Sequence, residues 1–387
     1  MRKKIAILGS TGSIGKILLN IISKDKKNFD VCLLTANKDY ELIIKQAKKF
    51  KVKNIIITDY SSYKIAKTKL KNQYIKIFNN FNYLNKIFKN KKIDYVMSSI
   101  VGLDGLKPTL NLIKHTRKIA IANKESIICG WSLIRKEILK YKTKFIPVDS
   151  EHFSIWYGLK NNFDDLEKIY LTASGGPFLN YPLNKFKKIK VSQAINHPNW
   201  KMGKKISIDS ATMMNKVFEI IEAKNLFNIY YDKLFILTHP SSYIHAVLLF
   251  KNGLIKIIAH ETDMSVPIAN TLYPKYTGYK NKIFLNIKKM NKLELNKINY
   301  KKYPSVKILD MLPKESSLFE TVIVSANDEL VNLFLNKKIS FNEITSKLIR
   351  LLKNKDFNKY KNIKPKNIED IIKLNNYVRL KVNPKSI

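Results

Sequence analysis

Acidic residues are scarce in this chain: 30 Asp and Glu stand against 71 Lys and Arg among 387 residues, a formal net charge of +41. Cysteine is scarcer still. Cys32 and Cys129, both in apolar surroundings, exclude a disulfide framework and a cysteine-based zinc site, and read as reduced core residues. No apolar run approaches the roughly 20 residues needed to span a bilayer. Met1-Arg-Lys-Lys leads straight into Ile5-Ala-Ile-Leu8 with no signal-peptide cleavage site, so the expectation is a cytoplasmic protein with no membrane partner. Zinc-finger spacing, an RNP-like segment and a basic heptad arm are missing as well. The lysines spread along the whole length among Asn and Ile, as at 185–190 and 282–299. That is a compositional bias rather than a groove-binding stripe, and no nucleic-acid partner is expected. The charge should still draw anionic small molecules toward the protein.

What is present begins with length: 387 residues, 45% hydrophobic, exceed one ordinary core and imply two or three domains. In the first part, short apolar runs at 4–8, 29–34, 54–58, 95–101 and 118–122 alternate with helical spacing at 41–50, 61–71 and 106–115. Such alternation predicts an α/β fold with a doubly wound parallel sheet. After 145–148 the rhythm changes. Strands at 169–172, 233–237, 246–250 and 254–259 surround a helix and suggest a second α/β domain. The stretch 279–299 is rich in Lys and Asn and reads as a linker. Beyond about 300 the apolar spacing is helical throughout.

Several constellations carry chemistry. Gly9, Gly12 and Gly15 follow the first strand and open a helix, where backbone N–H groups can approach a pyrophosphate. A plain strand-to-helix turn is the competing reading. At the end of the second strand, Asn37 and Lys38 stand where an acid would contact ribose hydroxyls, which favours a 2′-phosphate and hence NADP(H); Asp39 follows them. Ala122-Asn123-Lys124-Glu125-Ser126 closes a later strand of the same sheet and can place polar groups near a nicotinamide. Asp149 and Glu151, read as extended backbone, direct two carboxylates to one side, and hard oxygen ligands argue for Mg2+ or Mn2+. Two solvated loop acids would look the same. Ser174-Gly175-Gly176-Pro177 can turn N–H groups and a hydroxyl onto an anion. His197-Pro-Asn-Trp200-Lys-Met202-Gly203 has the composition of a mobile lid, although Trp200 and Met202 would also suit a core.

The segment from Ser207 to Glu219 is the most informative. Read as one helix capped near Ser210, it sets Asn215 and Glu219 four residues apart on one face with Lys216 beside them, in an otherwise oily sequence. Burying an amide, an ammonium and a carboxylate demands partners. A phosphate and a metal ion would supply them, and Glu219 would complete a set of three carboxylates. An internal Lys216–Glu219 salt bridge is the simpler alternative.

On these motifs the chain resembles the 1-deoxy-D-xylulose 5-phosphate reductoisomerases. GSTGSIG from Gly9, ANKES from Ala122, PVDSEH from Pro147, SGGPF from Ser174, HPNWKMGKKISIDSATMMNK from His197 and HPSSYIH from His239 occur in that family's order, between residue 3 and about 345. The resemblance implies a homodimer that binds NADPH and Mg2+ or Mn2+. It would isomerise its sugar phosphate by carbon–carbon cleavage and rejoining, then reduce the aldehyde to 2-C-methyl-D-erythritol 4-phosphate. It implies that Asp149, Glu151 and Glu219 hold the metal. Ser174, Ser210, Asn215 and Lys216 would clasp the phosphate, with His197 at the root of the lid, and Ser150 and Lys124 would reach the substrate's hydroxyl end. Thr11, Gly12, Ser13, Ile14, Asn123, Glu125 and Gly203 would touch the cofactor, joined in the residue reading by Asn37, Lys38 and Asp39. The division then expected is a Rossmann-like NADPH domain at 1–148, a catalytic and dimerisation domain at 149–280 with a lid at 196–204, a linker at 281–300 and an all-helical domain at 301–387.

Two other readings remain open at this point. An NADP-dependent dehydrogenase acting on an amino-acid semialdehyde would explain the first domain without a metal. A basic nucleic-acid-binding protein would explain only the charge.

Overall fold

Apolar runs without polar alternation form strands buried on both faces, and the first half of the chain builds such a sheet. The structure, a computed structural model, describes residues 2–71, 73–89, 91–159, 165–273 and 285–383. Its first sheet contains β1 (Lys3–Leu8), β2 (Phe29–Ala36), β3 (Asn54–Ile57), β4 (Lys76–Phe78), β5 (Tyr95–Ser98), β6 (Lys118–Ile121) and β7 (Lys144–Pro147). All pair in parallel, in the order β4-β3-β2-β1-β5-β6-β7. The order reverses between β1 and β5, so the switch point where such sheets bind ligands lies beside the Gly9 loop.

That loop needs glycine at two positions. Gly9 has φ +82°, and a Cβ there would lie 2.9 Å from the Ser99 carbonyl oxygen. A Cβ on Gly15 would lie 2.5 Å from the Gly9 carbonyl oxygen, so only glycine lets the Ser13–Ser23 helix start this close to the strand. Gln46 braces the loop from beneath, donating to the Ser10 carbonyl at 2.9 Å and accepting from the Ser10 hydroxyl at 2.8 Å.

A second sheet contains β8 (Leu166–Ala173), β9 (Leu234–Thr238), β10 (Ile244–Phe250), β11 (Ile255–Ala259) and β12 (Asn296–Lys297), in the order β11-β10-β8-β9-β12. Only β8 and β9 run parallel; the other pairs are antiparallel. The Met214–Phe227 helix lays Ile220, Ala223 and Phe227 against Ile169, Leu171, Ala246 and Leu248. Toward the end of the chain, the helices Phe319–Leu335, Phe341–Lys353 and Ile368–Val382 follow the helical apolar spacing, and the first packs on both others.

Packing groups the chain into two units. One holds Met1–Ser126, Leu133–Phe153 and Asp263–Lys282; the other holds Ile127–Ser132, Ser154–Thr262 and Ile283–Ile387. The Ser265–Leu272 helix joins the first because Ile268, Ala269 and Leu272 enter its core. Of the linker expected at 281–300, residues 281–284 lie outside the described residues, as do 1, 72, 90, 160–164, 274–280 and 384–387 of the expected domains. From 285 onward that stretch contains the Ile287–Met290 helix and β12. Among the described residues, no helix is long and apolar enough to cross a membrane.

Candidate active site

In the first unit, chemistry-bearing residues sit at strand ends that turn into helices. Gly12 precedes the Ser13–Ser23 helix with no side-chain cap, which leaves first-turn N–H groups available to an anion. Thr11 and Ile14 are half-buried beside it, whereas Gly12 and Ser13 are exposed. Beyond β2, Asn37, Lys38 and Asp39 are exposed. Asn37 donates to the Thr58 hydroxyl at 2.8 Å, and Asp39 caps the Tyr40–Lys49 helix by accepting the Leu42 N–H at 3.1 Å. The cap gives Asp39 a structural task at this position.

After β6, Asn123 caps the Lys124–Tyr141 helix through the Ser126 N–H at 2.5 Å. Its amide donates to the carbonyls of Gly102, at 2.7 Å, and Ile100. Glu125 is buried in the first turn. Lys124 Nζ lies 3.1 Å from Asp149 Oδ2. β7 stops at Pro147, and the Ser150–Gly158 helix begins at once, with the Phe153 N–H donating to the Asp149 carbonyl at 2.8 Å. This corrects the extended backbone expected across Asp149 and Glu151. Glu151 stands in a first helical turn, where the helix dipole favours acids. Asp149 accepts the Ser150 N–H at 2.9 Å, and the Ser150 hydroxyl donates to Glu151 Oε2 at 2.6 Å.

In the second unit, the single helix expected across 207–219 is two helices, Lys204–Ala211 and Met214–Phe227. The Thr212 hydroxyl donates back to the Ile208 carbonyl at 3.0 Å, and Met213 follows at φ +67°. Ser210 therefore lies in the last turn of the first helix and is no cap; Gly203 occupies the N-cap position of that helix. Asp209 is buried, accepting from Asn327 at 2.7 Å with Lys205 Nζ 3.3 Å away, which ties this helix to Phe319–Leu335.

The second helix does present Asn215, Lys216 and Glu219 together. Lys216 Nζ is 2.5 Å from Glu219 Oε2 and donates to the Thr172 carbonyl at 2.6 Å; Asn215 Nδ2 donates to Glu219 Oε1. Lys216 is 4% exposed and Glu219 0%, so both charges are desolvated. The simpler alternative, an internal ion pair, is thus present, with an amide and a backbone carbonyl added to it.

Across from this trio, β8 ends at Ala173 and Ser174 begins a turn through Gly175 (φ +81°) and Gly176 (φ +63°). A Cβ on Gly176 would lie 3.0 Å from the Ser210 carbonyl oxygen and the Ala211 Cα, so glycine lets the turn press against the helix end. The Ser174 hydroxyl oxygen lies 2.9 Å from His197 Nε2 and accepts the Gly176 N–H at 3.0 Å. His197 Nδ1 accepts the N–H groups of Asn199, at 3.1 Å, and Trp200, at 3.0 Å. That assigns the proton to Nε2, which donates to Ser174 and leaves the serine's own proton for another acceptor.

Burial, reinforced by the Lys216 charge, lowers the His197 pKa from its ordinary value to about 4. An unfolded His197 titrates near 6.5, so between there and about 4 the unfolded chain binds more protons. This contribution to stability is complete above that window and is lost as pH falls through it. The melting temperature should drop on acidification from pH about 7.5 to about 5, and His197→Gln, which cannot protonate, should shrink that drop. Identical pH dependence in the two proteins would contradict the assignment.

Reading the sequence missed residues that hold these groups in place. Asn199, inside the lid motif, donates to the Pro240 carbonyl at 2.6 Å and the Ser242 hydroxyl at 2.9 Å. The HPSSYIH motif is thereby hydrogen-bonded to the His197–Gly203 segment, and His239 of that motif pairs through Nδ1 with the Glu294 carbonyl at 2.7 Å. Nothing in an Asn or a Ser alone signals such a pairing; only their presence in two recognisable motifs could have suggested it.

Three family models match the chain: 1-deoxy-D-xylulose 5-phosphate reductoisomerase over residues 5–130, its C-terminal domain over 145–227, and the DXP reductoisomerase C-terminal domain over 260–381. The 1-deoxy-D-xylulose 5-phosphate reductoisomerase of Pelagibacter ubique is 59% identical over 390 residues, covering 100% of both chains. Among solved structures, the reductoisomerase of Zymomonas mobilis in complex with NADPH superposes with a TM-score of 0.87 at 31% identity, covering 100% of each chain. A DOX-P reductoisomerase in complex with NADPH, fosmidomycin and magnesium gives a TM-score of 0.90 at 28% identity, covering 99% of this chain and 98% of that one.

Proposed function

The chain belongs to the 1-deoxy-D-xylulose 5-phosphate reductoisomerase family, and from that premise we propose that it isomerises and reduces 1-deoxy-D-xylulose 5-phosphate to 2-C-methyl-D-erythritol 4-phosphate with NADPH and Mg2+ or Mn2+. The observation that carries this reading is the trio of half-buried Asn215 and buried Lys216 and Glu219 beside the Ser174 turn. An ammonium, an amide and a serine proton suit a phosphate, and a desolvated carboxylate suits a hard cation.

In this proposal Ser174, Ser210, Asn215 and Lys216 bind the phosphate, and His197 Nε2 orients the Ser174 hydroxyl so that its proton faces the ligand. Asp149, Glu151 and Glu219 hold the cation; their all-oxygen donor set fits Mg2+ or Mn2+ and offers no soft ligand. When bound, the cation supplies Lewis-acid polarisation of the substrate's ketone and hydroxyl oxygens. Lys124, 3.1 Å from Asp149, and Ser150 orient the hydroxyl end of the substrate. Phosphate replaces Glu219 as the counter-ion of Lys216, which frees the carboxylate for the metal.

The first-turn N–H groups after Gly12, with Thr11, Ser13 and Ile14, receive the cofactor's pyrophosphate. Asn37 and Lys38 face its 2′-phosphate, and Asn123, Glu125 and Gly203 border the nicotinamide. Closure of 196–204 about the Asn199 dock excludes water from the hydride transfer. The catalytic, linker and helical divisions at 149–280, 281–300 and 301–387 belong to the same proposal. So does a homodimer, supported by Ile255 and Ile257, which are exposed along the edge strand β11, and by exposed Leu254 just before it.

NADPH absorbance should fall only when the deoxyxylulose phosphate and Mg2+ or Mn2+ are both added, and EDTA should stop it. Oxidation of NADPH that survives EDTA, or that proceeds with an amino-acid semialdehyde instead, would favour an ordinary dehydrogenase.

A further inference from the structure

The two halves of the proposed phosphate cradle are built on backbone that local sequence alone does not favour. Gly175 and Gly176 are the most conformationally free residue type, and Met213 occupies the left-handed region that a non-glycine residue rarely adopts. Beyond its local hydrogen bonds, each is held by a buried side chain from a single short segment far along the chain. Tyr303 OH donates to the Gly175 carbonyl at 2.7 Å, and Ser305 Oγ donates to the Thr212 carbonyl at 2.5 Å. Tyr303 is 1% exposed and Ser305 0%. The Tyr303 ring packs with Ala173 and Met213, the residues that border the turn and the helix break.

The segment itself is stiff. The Tyr303 N–H donates to the Asn299 carbonyl at 2.9 Å, and Pro304 starts a 3-10 helix over Pro304–Met311. Burial pushes the Tyr303 phenol well above its ordinary pKa, so the hydroxyl remains a donor across the working pH range.

We infer that Tyr303 and Ser305 are positioning residues for phosphate recognition: together they set the Ser174–Gly176 turn against the Thr212–Met213 break, and so fix the spacing between the Ser174 hydroxyl and Asn215–Lys216. The inference rests on the phosphate site proposed above. It assigns a task in binding to two buried residues whose hydroxyls are bonded to backbone carbonyls.

Tyr303→Phe keeps the ring and removes only the donor. It should raise KM for the sugar phosphate about tenfold, the scale expected when one buried hydrogen bond is lost. The inhibition constant of inorganic phosphate, measured as a competitor, should rise by the same factor, with kcat within about twofold and NADPH affinity unchanged. Ser305→Ala should act in the same direction, and it decides the matter if Tyr303→Phe does not fold. A lower melting temperature with unchanged KM and phosphate inhibition would reduce the pair to fold stabilisation and overturn the inference. A wild-type protein that neither oxidises NADPH with the sugar phosphate nor responds to phosphate would overturn the functional reading, and the inference with it.

Discussion

Glu219→Gln is expected to bind NADPH as the wild type does and to turn over about 100- to 1000-fold more slowly, the scale of losing one preorganised electrostatic group at a reacting centre. The substitution is nearly isosteric in a site that is 0% exposed, so packing against Val217, Ile220 and the rest of the Met214–Phe227 helix should survive. The amide can still accept one hydrogen bond from Asn215 or Lys216. What disappears is the charge that balances Lys216 and, in the proposed reaction, the third carboxylate on the cation. Rate constants should therefore fall far more than substrate affinity. Near-normal turnover in Mg2+ would remove Glu219 from the metal site.

Lys216→Met should have an effect of similar size but of a different kind. It deletes the cation whose Nζ lies 2.5 Å from Glu219, leaving a carboxylate that is 1% exposed on its side chain without its charge partner. Breaking a buried ion pair on one side costs about 3–5 kcal/mol, so the melting temperature without divalent metal should fall steeply. Mg2+ should restore part of that loss, because a cation can take the place of the ammonium beside Glu219. Substrate KM and the inhibition constant for inorganic phosphate should rise about 100-fold, in line with the loss of a desolvated charged contact. Unchanged phosphate inhibition would place the phosphate elsewhere.

The sequence was most legible where one physical demand acts on contiguous residues. Buried parallel strands read directly as runs such as Ile5-Ala-Ile-Leu8, and Gly9 and Gly15 read as a close turn because no other residue fits. The short strand β4 escaped because Lys76, Ile77 and Phe78 carry almost no apolar run. The helix break at Thr212 and Met213 was illegible for another reason. Both residues suit a helix locally, and the break is stabilised by Ser305, which lies 93 positions away. The helix beginning at Ser150 escaped as well, since Pro147-Val-Asp-Ser-Glu151 reads equally as a strand end or a cap.

Site chemistry divides in the same way. The Asn215, Lys216 and Glu219 cluster was visible from spacing within a single helix. The Ser174–His197 contact, with its assigned proton, depends on Nδ1 accepting two backbone N–H groups, and no residue pattern announces that. Asn123 and Asp39 show the reverse case: residues in cofactor-like positions whose polar atoms also perform ordinary helix capping.

The central claim is the proposal that Asp149, Glu151 and Glu219 hold a single divalent cation. Titration of the protein with Mn2+, followed by the loss of the free-ion paramagnetic signal, tests it most directly. One ion should bind per chain, and Asp149→Asn and Glu219→Gln should each weaken that same ion severalfold or more. An Mn2+ affinity that ignores Glu219→Gln while collapsing in Asp149→Asn would contradict it.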